Sequence, residues 1–367
     1  MRVVCAMSGG VDSSVAAALM VEAGHEVIGL TMALYDAKGE RKGRGGTCCS
    51  PAEIDLARRA CDLLGVPHYT VDERERFQAA VIDDFAREYL AGRTPNPCAR
   101  CNEHVKFGPL LARARALGAE LLVTGHYAQI VDGEAGPALH RGVDASKDQS
   151  YFLFAMGRET LAEVAFPLGA WSKAQVREKA RELGMPNADA PDSQELCFVP
   201  GGDHGEVVEA RAKALGLDTA RLEPGPIRDE SGAVLGEHRG IHRVTVGQRR
   251  GLGVSADRPR YVLRVLPSER AVVVGDPEGL EVRELMVGDF RALADLPVGE
   301  PIAARVQVRH RSAASPATVE ILGEGALKVR FDQPIRAVAP GQAAVVYAGE
   351  RDAGDRVLGG GWIRSAS

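Results

Sequence analysis

The chain opens on a strand-sized apolar run, Val3-Val4-Cys5-Ala6-Met7, which breaks at Ser8-Gly9-Gly10 and passes into a helical pattern. A strand entering a helix through a glycine turn is the first half of a βα unit. The alternation then repeats. Residues 13–23 carry Val15, Ala18, Leu19 and Val21 at helical spacing and stop at Gly24, and residues 25–31 read as the next strand. Further helices are predicted over 54–64, 77–90, 107–117 and 172–183, with strands over 67–71 and 120–124. Ser172 and Gln175 occupy the two positions of a capping box at the start of the last helix. Repeated βα units specify an α/β fold with a parallel, doubly wound sheet, here assigned to residues 1–205.

The pattern changes after that. A short helical piece over 205–217 leads to Pro224-Gly225-Pro226, which reads as a linker. Short β patterns follow over 260–266, 271–275, 302–309, 317–322, 326–331 and 343–347, separated by Gly, Pro and Asp. They predict a small β-rich central domain over residues 206–280 and a C-terminal β-barrel over 281–367. At 367 residues the chain exceeds what one core usually serves. Apolar content of 45% and charged content of 26% exclude a mainly disordered chain. No apolar run approaches the roughly 20 residues that span a bilayer. With no secretory h-region after Arg2, the expectation is a soluble, cytoplasmic protein without a membrane partner.

The loop Ser8-Gly9-Gly10-Val11-Asp12-Ser13-Ser14 is the first candidate site. Its glycines allow a tight turn and close approach to a ligand. The helix behind it presents free N–H groups and a positive dipole end, so an anion is the natural occupant. Doubly wound sheets bind nucleotides at this edge. A glycine-rich turn with a Ser/Asp cap is the plainer reading, which the three hydroxyls and Asp12 outweigh. No lysine lies in the loop, so it is not the Walker A pattern.

Charge and cysteine placement add two constraints. The net charge is −5, yet residues 239–264 hold seven arginines (239, 243, 249, 250, 258, 260, 264) against one acid, Asp257. That local excess suits a phosphate-bearing partner. Seven cysteines are too unevenly placed for a disulfide framework. Cys5 and Cys61 sit at apolar positions and read as core fillers, whereas Cys48 and Cys49 follow the Lys/Arg/Gly-rich stretch 42–46 and receive no role. Cys98 and Cys101 form a CxxC after Pro95-Asn96-Pro97, and Cys197 follows Asp192-Ser193 about a hundred residues on. Packing is a poor account of these three.

Together these residues carry a resemblance. SGGVDSS is similar to the pyrophosphate loop of the ATP-pyrophosphatase (PP-loop) superfamily, whose members adenylate a substrate. Thr94-Pro95-Asn96-Pro97, Cys101-Asn102, Thr124-Gly125-His126-Tyr127, Lys147-Asp148-Gln149-Ser150-Tyr151-Phe152, Cys197-Phe198 and the Thr245-x-Gly247-Gln248-Arg249-x-Gly251-Leu252-Gly253 stretch resemble, in order, the bacterial tRNA 2-thiouridylases. The resemblance covers nearly the whole chain. It implies ATP-dependent sulfur transfer to C2 of the wobble uridine of tRNA, with Mg²⁺ on the phosphates. It places ATP at Ala6, Met7, Ser8, Gly9, Gly10, Val11, Asp12 and Ser13, with the adenine near Met32 and Gly125. It places tRNA at Asn96, Pro97, Cys98, His126, Lys147, Asp148, Gln149, Arg309, His310 and Gln342.

In that family the cysteine matching Cys197 receives a persulfide sulfur from a donor protein, either a cysteine desulfurase or a sulfur-relay protein. The one matching Cys101 assists, and the two end as a disulfide. Many members carry Asp where this chain has Cys98, so the acid/base role of that Asp is not carried over. CxxC plus a distant Cys also resembles cluster-dependent tRNA thiolases, in which Cys98, Cys101 and Cys197 would hold a 4Fe-4S cluster. Thiol pair and cluster stand level; a structural zinc site lacks a fourth ligand and ranks below both. Two rivals of other classes stay open: an ATP-pyrophosphatase acting on a small molecule, and a non-catalytic RNA-binding protein.

Overall fold

The computed structural model describes residues 1–35, 51–191, 196–199, 202–254, 258–349 and 356–367. The stretch 42–46, Cys48, Cys49, Asp192, Ser193 and Asp257 lie outside the described residues. The chain divides into two compact units. One comprises Met1–Val81, Cys98–Gly202 and Asp355–Val357; the other comprises Ile82–Pro97, Asp203–Gly354 and Leu358–Ser367.

In the first unit the expected βα alternation forms β1 (Arg2–Ala6), α1 (Val11–Glu22), β2 (Glu26–Ala33), α2 (Pro51–Leu64) and β3 (His68–Asp72). The helix predicted over 77–90 is broken into α3 (Arg74–Phe77), a π-helical stretch Gln78–Ile82 and α4 (Asp83–Leu90), of which α4 belongs to the second unit. The chain returns with α5 (Pro97–Cys101), which runs through a second π-helical stretch, Asn102–Leu110, into α6 (Leu111–Ala116). β4 (Leu121–Val123) follows, then a hairpin of β5 (Ala128–Gly133) and β6 (Gly136–Arg141) that the sequence pattern did not announce. α7 (Ser150–Leu153), β7 (Val164–Ala165) and α8 (Lys173–Glu182) complete the unit.

The sheet order is β3-β2-β1-β4-β7, and every pairing is parallel. From β1 the chain winds outward through β2 to β3, then crosses back to place β4 on the other flank of β1. The carboxyl ends of β1 and β4 therefore meet at the switch point where such sheets bind ligands. Val3, Cys5, Val15, Ala17, Ala60, Cys61, Val123, Val176 and Ala180 share one core in which each is almost fully buried. Small residues on α1 let it lie close to the sheet, which fixes where its first turn falls.

The second unit holds α9 (His204–Ala214) and two β assemblies. β8 (Gly225–Arg228), β9 (Val234–His238), β10 (Tyr261–Leu266) and β11 (Ala271–Gly275) form a sheet in the order β10-β11-β8-β9. The stretch Pro224-Gly225-Pro226, read as a linker, thus contributes to β8. Gly225 pairs with His238, and a Cβ on it would lie 2.0 Å from the Arg270 carbonyl oxygen, so the strand depends on glycine there. β12 (Glu281–Ala292), β13 (Ile302–Gln307), β14 (Ser315–Gly323), β15 (Ala326–Arg336), β16 (Ala343–Ala348) and β17 (Val357–Ala366) close into a barrel in the order β12-β15-β14-β13-β16-β17. Val306, Val319, Val329, Phe331, Val346 and Ile363 fill it. Among the described residues no helix is long and apolar enough to cross a membrane.

The capping box at α8 forms as the sequence pattern predicts: Ser172 accepts from the Gln175 N–H, and Gln175 Oε1 accepts from the Ser172 N–H at 2.8 Å. Ser172→Ala is expected to lower stability by about 1 kcal/mol. Denaturant unfolding will check this as a shift in midpoint with no change in slope.

Candidate active site

The phosphate-loop candidate is built by strain and exclusion. Gly9 adopts φ +80°, and a Cβ there would lie 2.3 Å from the carbonyl oxygen of Glu53. Only glycine fits this close approach. The loop then ties itself together: the Ser8 N–H donates to Ser13 Oγ at 3.1 Å, and Ser13 Oγ donates to the Gly10 carbonyl at 3.0 Å. Gly10 is the N-cap of α1 and no side chain caps that helix among the described residues, so its positive end faces the loop.

Across the switch point, Gly125 follows β4. A Cβ on it would fall 2.7 Å from the Asp12 carbonyl carbon and 2.7 Å from the Ser13 nitrogen. The turn after β4 therefore lies backbone-to-backbone against the first turn of α1. Met7 and Met32 are buried at the carboxyl ends of β1 and β2, where the Thr31 hydroxyl donates to the Met7 carbonyl at 2.8 Å. The residues predicted for ATP thus share one edge of one sheet.

Three side chains that the sequence reading missed complete this edge. Lys173 Nζ reaches Asp12 Oδ1 and Oδ2 at 2.7 and 2.8 Å, and the Tyr127 hydroxyl donates to Asp12 Oδ1 at 2.7 Å. The cation absent from the loop itself is supplied from the first position of α8, 161 residues on. Buried Asn187 donates to the Gly9 carbonyl at 2.7 Å and to Ser14 Oγ at 3.0 Å, holding the strained turn from behind. No spacing rule connects residues 173 or 187 to residue 12. The visible signals were the Ser172 cap, which fixes where Lys173 stands, and Tyr127 inside the Thr-Gly-His-Tyr motif.

His126, Phe107 and Phe166 pack as a triangle of rings, with the His126 centroid 5.8 Å from each phenyl centroid, and a 2.6 Å hydrogen bond joins its Nδ1 to Thr124 Oγ1. Burial, reinforced by the positive charge of Lys106, holds its pKa well below the ordinary imidazole value. His126 is therefore neutral at pH 7 and donates or accepts without charge.

The cysteines separate by environment. Burial pushes the Cys61 thiol up to about 12 and raises Cys5 further, as suits core fillers. On α5, Cys98 is exposed and Cys101 is 8% exposed, while Cys197 is half-buried. A π-helical stretch starts directly after Cys101, a conformation that concentrates at functional sites. It packs on α3, with Arg113 of the following helix donating to Glu73 at 2.8 Å. Phe198, next to Cys197, packs edge-on against Phe77 of the same α3 at 5.8 Å. The segments carrying Cys101 and Cys197 thus share α3 as a neighbour. Among the described residues, however, no three Cys, His, Asp or Glu side chains are grouped to hold a metal ion. The geometry gives a cluster or zinc site at Cys98, Cys101 and Cys197 no support.

Of the positions expected at tRNA, Asn96 and Pro97 are buried, Cys98 and His310 exposed, and Lys147 and Gln149 partly so. Asp148 faces inward: its carboxylate accepts from the Gly142 and Ser150 N–H groups, the Ser150 hydroxyl and Arg141. Gln342 Nε2 donates to the Thr94 and Pro95 carbonyls, both at 3.0 Å, and Arg309 donates to the Val246 carbonyl at 3.0 Å. Within 239–264, Arg243 is paired with Asp203 and Glu209, and Arg260 with Asp276. Arg239, Arg249, Arg250, Arg258 and Arg264 are exposed. Arg249 and Arg250 sit on a turn closed by Gln248, which accepts from the Thr245 N–H at 3.0 Å and donates to the Arg250 carbonyl at 2.9 Å.

Comparison with known proteins decides the family. Residues 1–201 match the tRNA methyl transferase HUP domain, 218–276 the tRNA methyl transferase PRC-barrel domain and 282–363 the aminomethyltransferase beta-barrel domain. The tRNA-specific 2-thiouridylase MnmA of Rhodospirillum centenum is 49% identical over 99% of this chain and 91% of its own length. That of Rhizorhabdus wittichii is 50% identical over 99% and 92%, and that of Acidithiobacillus ferrooxidans 46% over 99% and 98%. The chain belongs to the tRNA-specific 2-thiouridylase family. The likeness to a solved 4-thiouridine synthetase–RNA complex with bound ATP is slight: 16% identity over 59% of this chain and 51% of that one, with a TM-score of 0.34.

Two outcomes check this site. Gly125→Ala forces apart the β4 turn and α1, so the KM for ATP should rise by about tenfold or more, while far-ultraviolet circular dichroism stays unchanged. The neutral His126 should show no imidazole NMR titration between pH 6 and 8. Because its folded pKa lies below its unfolded one, its contribution to stability is lost as pH falls below about 6.5, and His126→Gln should flatten that part of the stability profile.

Proposed function

We propose that the protein replaces the C2 oxygen of a uridine in tRNA by sulfur, consuming ATP. The observation that carries this reading is the conjunction, in a chain 45–50% identical to curated 2-thiouridylases, of an uncapped helix terminus at the switch point of a parallel sheet with cysteines that are exposed, half-buried and buried at positions 98, 197 and 101. The uridine C2 carbonyl is a poor electrophile because its oxygen leaves badly. Attack of that oxygen on the α-phosphorus of ATP expels pyrophosphate and makes the oxygen part of AMP, a good leaving group. The loop Ser8-Gly9-Gly10 and the α1 terminus bind the departing phosphates, and the Lys173 ammonium, held on Asp12, stands beside them as a hydrogen-bond donor. Asp12 is one carboxylate at the phosphates, a donor set that suits Mg²⁺, which keeps water and phosphate oxygens as its other ligands. When bound, Mg²⁺ neutralises polyphosphate charge.

Sulfur then arrives through the thiols. A donor protein leaves a persulfide on Cys197; its terminal sulfur attacks C2, and AMP departs. The Cys101 thiolate attacks the Cys197 sulfur of the resulting C2–S–S–Cys197 adduct. This frees 2-thiouridine and leaves a Cys101–Cys197 disulfide, which an external thiol must reduce before the next cycle. Cys98 takes no part in this balance, and its place in the family's Asp position gives it contact with the target nucleotide. Lys147, Arg309 and His310 with the exposed arginines hold the RNA, whose target base has to be splayed out of its loop to react.

Incubation with unmodified tRNA, ATP, Mg²⁺ and a persulfide source, followed by nucleoside analysis, tests the reading. The expected product is 2-thiouridine, abolished in both Cys101→Ser and Cys197→Ser and retained in Cys5→Ala. ATP consumption with no thiolated nucleoside would instead indicate a small-molecule adenylating enzyme. Separately, log Kd for tRNA against log salt should lose roughly 0.9 of slope for each phosphate contact removed by Arg249→Ala or Arg250→Ala.

A further inference from the structure

Two hydrogen-bonded arms connect the segment 144–149 to the phosphate loop, and both end on the same carboxylate. In one, Gln149 Oε1 accepts from the Tyr127 N–H at 3.0 Å, the Gln149 N–H donates to the Tyr127 carbonyl at 2.9 Å, and the Tyr127 hydroxyl donates to Asp12 at 2.7 Å. In the other, Asp144 Oδ2 accepts from the Lys173 N–H at 3.0 Å, and Lys173 Nζ closes on both oxygens of Asp12. The segment is braced internally as well. Asp144 Oδ1 accepts from the Ser146 N–H at 3.0 Å and hydroxyl at 2.6 Å, and buried Asp148 gathers Arg141, Gly142 and Ser150. Gly142 leaves no slack, since a Cβ there would lie 2.7 Å from the Tyr127 carbonyl oxygen. Displacing the segment must therefore displace Tyr127, Lys173 or both, and with them Asp12.

We infer that Tyr127 and Lys173 are positioning residues through which the segment 144–149 sets Asp12, so that ATP binding and tRNA binding strengthen each other. The inference rests on the reading above, in which Lys147 and Gln149 meet the RNA and Asp12 serves the nucleotide. The physical basis is shared ordering. Val143, Ala145 and Ser146 are exposed, so RNA reaches the segment from its open side and bears on the same hydrogen bonds that the nucleotide bears on from Asp12. A second ligand binding to a network already ordered by the first no longer bears the entropy cost of ordering it. The consequence is an enzyme that organises its phosphate loop best when an acceptor is present and spares ATP otherwise.

Calorimetric titration of the full-length protein with a non-hydrolysable ATP analogue, with and without saturating unmodified tRNA, and the reverse titration, provide the test. In the wild type each ligand should tighten the other by one common factor, about five- to fiftyfold, because coupling is reciprocal. Tyr127→Phe, which keeps the buried ring and removes only the hydroxyl, should pull that factor toward one. So should Asp144→Ala, which severs the second arm. A merely structural loss would weaken both ligands and leave their ratio intact, whereas the inference expects the ratio to collapse. A wild-type factor of one, or a full factor surviving in both variants, overturns the inference while leaving the functional reading in place. Failure of either ligand to bind at all overturns both.

Discussion

The close approach of two backbone turns at the switch point governs everything at this site. Strand β4 can sit beside β1 with its turn against α1 only because residue 125 has no side chain, and the first turn of α1 can receive an anion only because Gly9 accepts a left-handed conformation against Glu53. Once those two turns are in place, the free N–H groups of α1, the serine hydroxyls and Asp12 converge without further instruction. The dipole at that terminus amounts to roughly half an elementary charge. Lys173 and Asp12 form an ion pair of no net charge beside it, which fixes the Lys173 ammonium so that it does not swing into solvent.

The domain descriptions speak of methyl transfer, whereas the curated relatives are named for thiolation. The residues side with the relatives. A helix terminus open to an anion at a switch point, and cysteines at three levels of exposure, have no part in moving a methyl group. The exposures fit the proposed division of labour: half-buried Cys197 is reachable, as a sulfur-receiving thiol would have to be, and buried Cys101 is shielded from stray oxidants, as a resolving thiol would best be.

Much of the fold was legible because local signals agreed with the final structure. The first strand, its glycine turn and α1 follow from a few residues, the Ser172 capping box from four, and residues 271–275 form the strand their alternation announced. Legibility failed where glycine and proline have a tertiary meaning. Pro224-Gly225-Pro226 carries the signature of a linker, yet Gly225 is there so that the Arg270 carbonyl can approach it. Likewise Gly359-Gly360-Gly361 hides the closing strand of the barrel; side chains at 359 and 361 would strike the Arg291 and Gly288 carbonyls. In the site, residues contributed by one loop were readable and residues contributed by the fold were not. Lys173, Tyr127 and Asn187 have no sequence spacing to residue 12, because their proximity is made by the sheet order.

The basic stretch shows the same limit in electrostatic form. Counting charge gave an excess of six over residues 239–264. Two of those arginines turn out to be internal fasteners: Arg243 is committed to Asp203 and Glu209, and Arg260 to Asp276. Sequence-local counting misses this because the partners lie 40, 34 and 16 positions away. What remains for a polyanion is five exposed arginines, two of them on a turn that Gln248 closes with its own side chain. A stiff turn presents its charges at less entropic cost than a flexible one, so fewer arginines can hold as many phosphates. An acidic protein and an RNA substrate are thus compatible: the net charge of −5 acts weakly across a screened solution, where the Debye length is about 8 Å, whereas the contacts proposed at the turn would act at hydrogen-bonding distance.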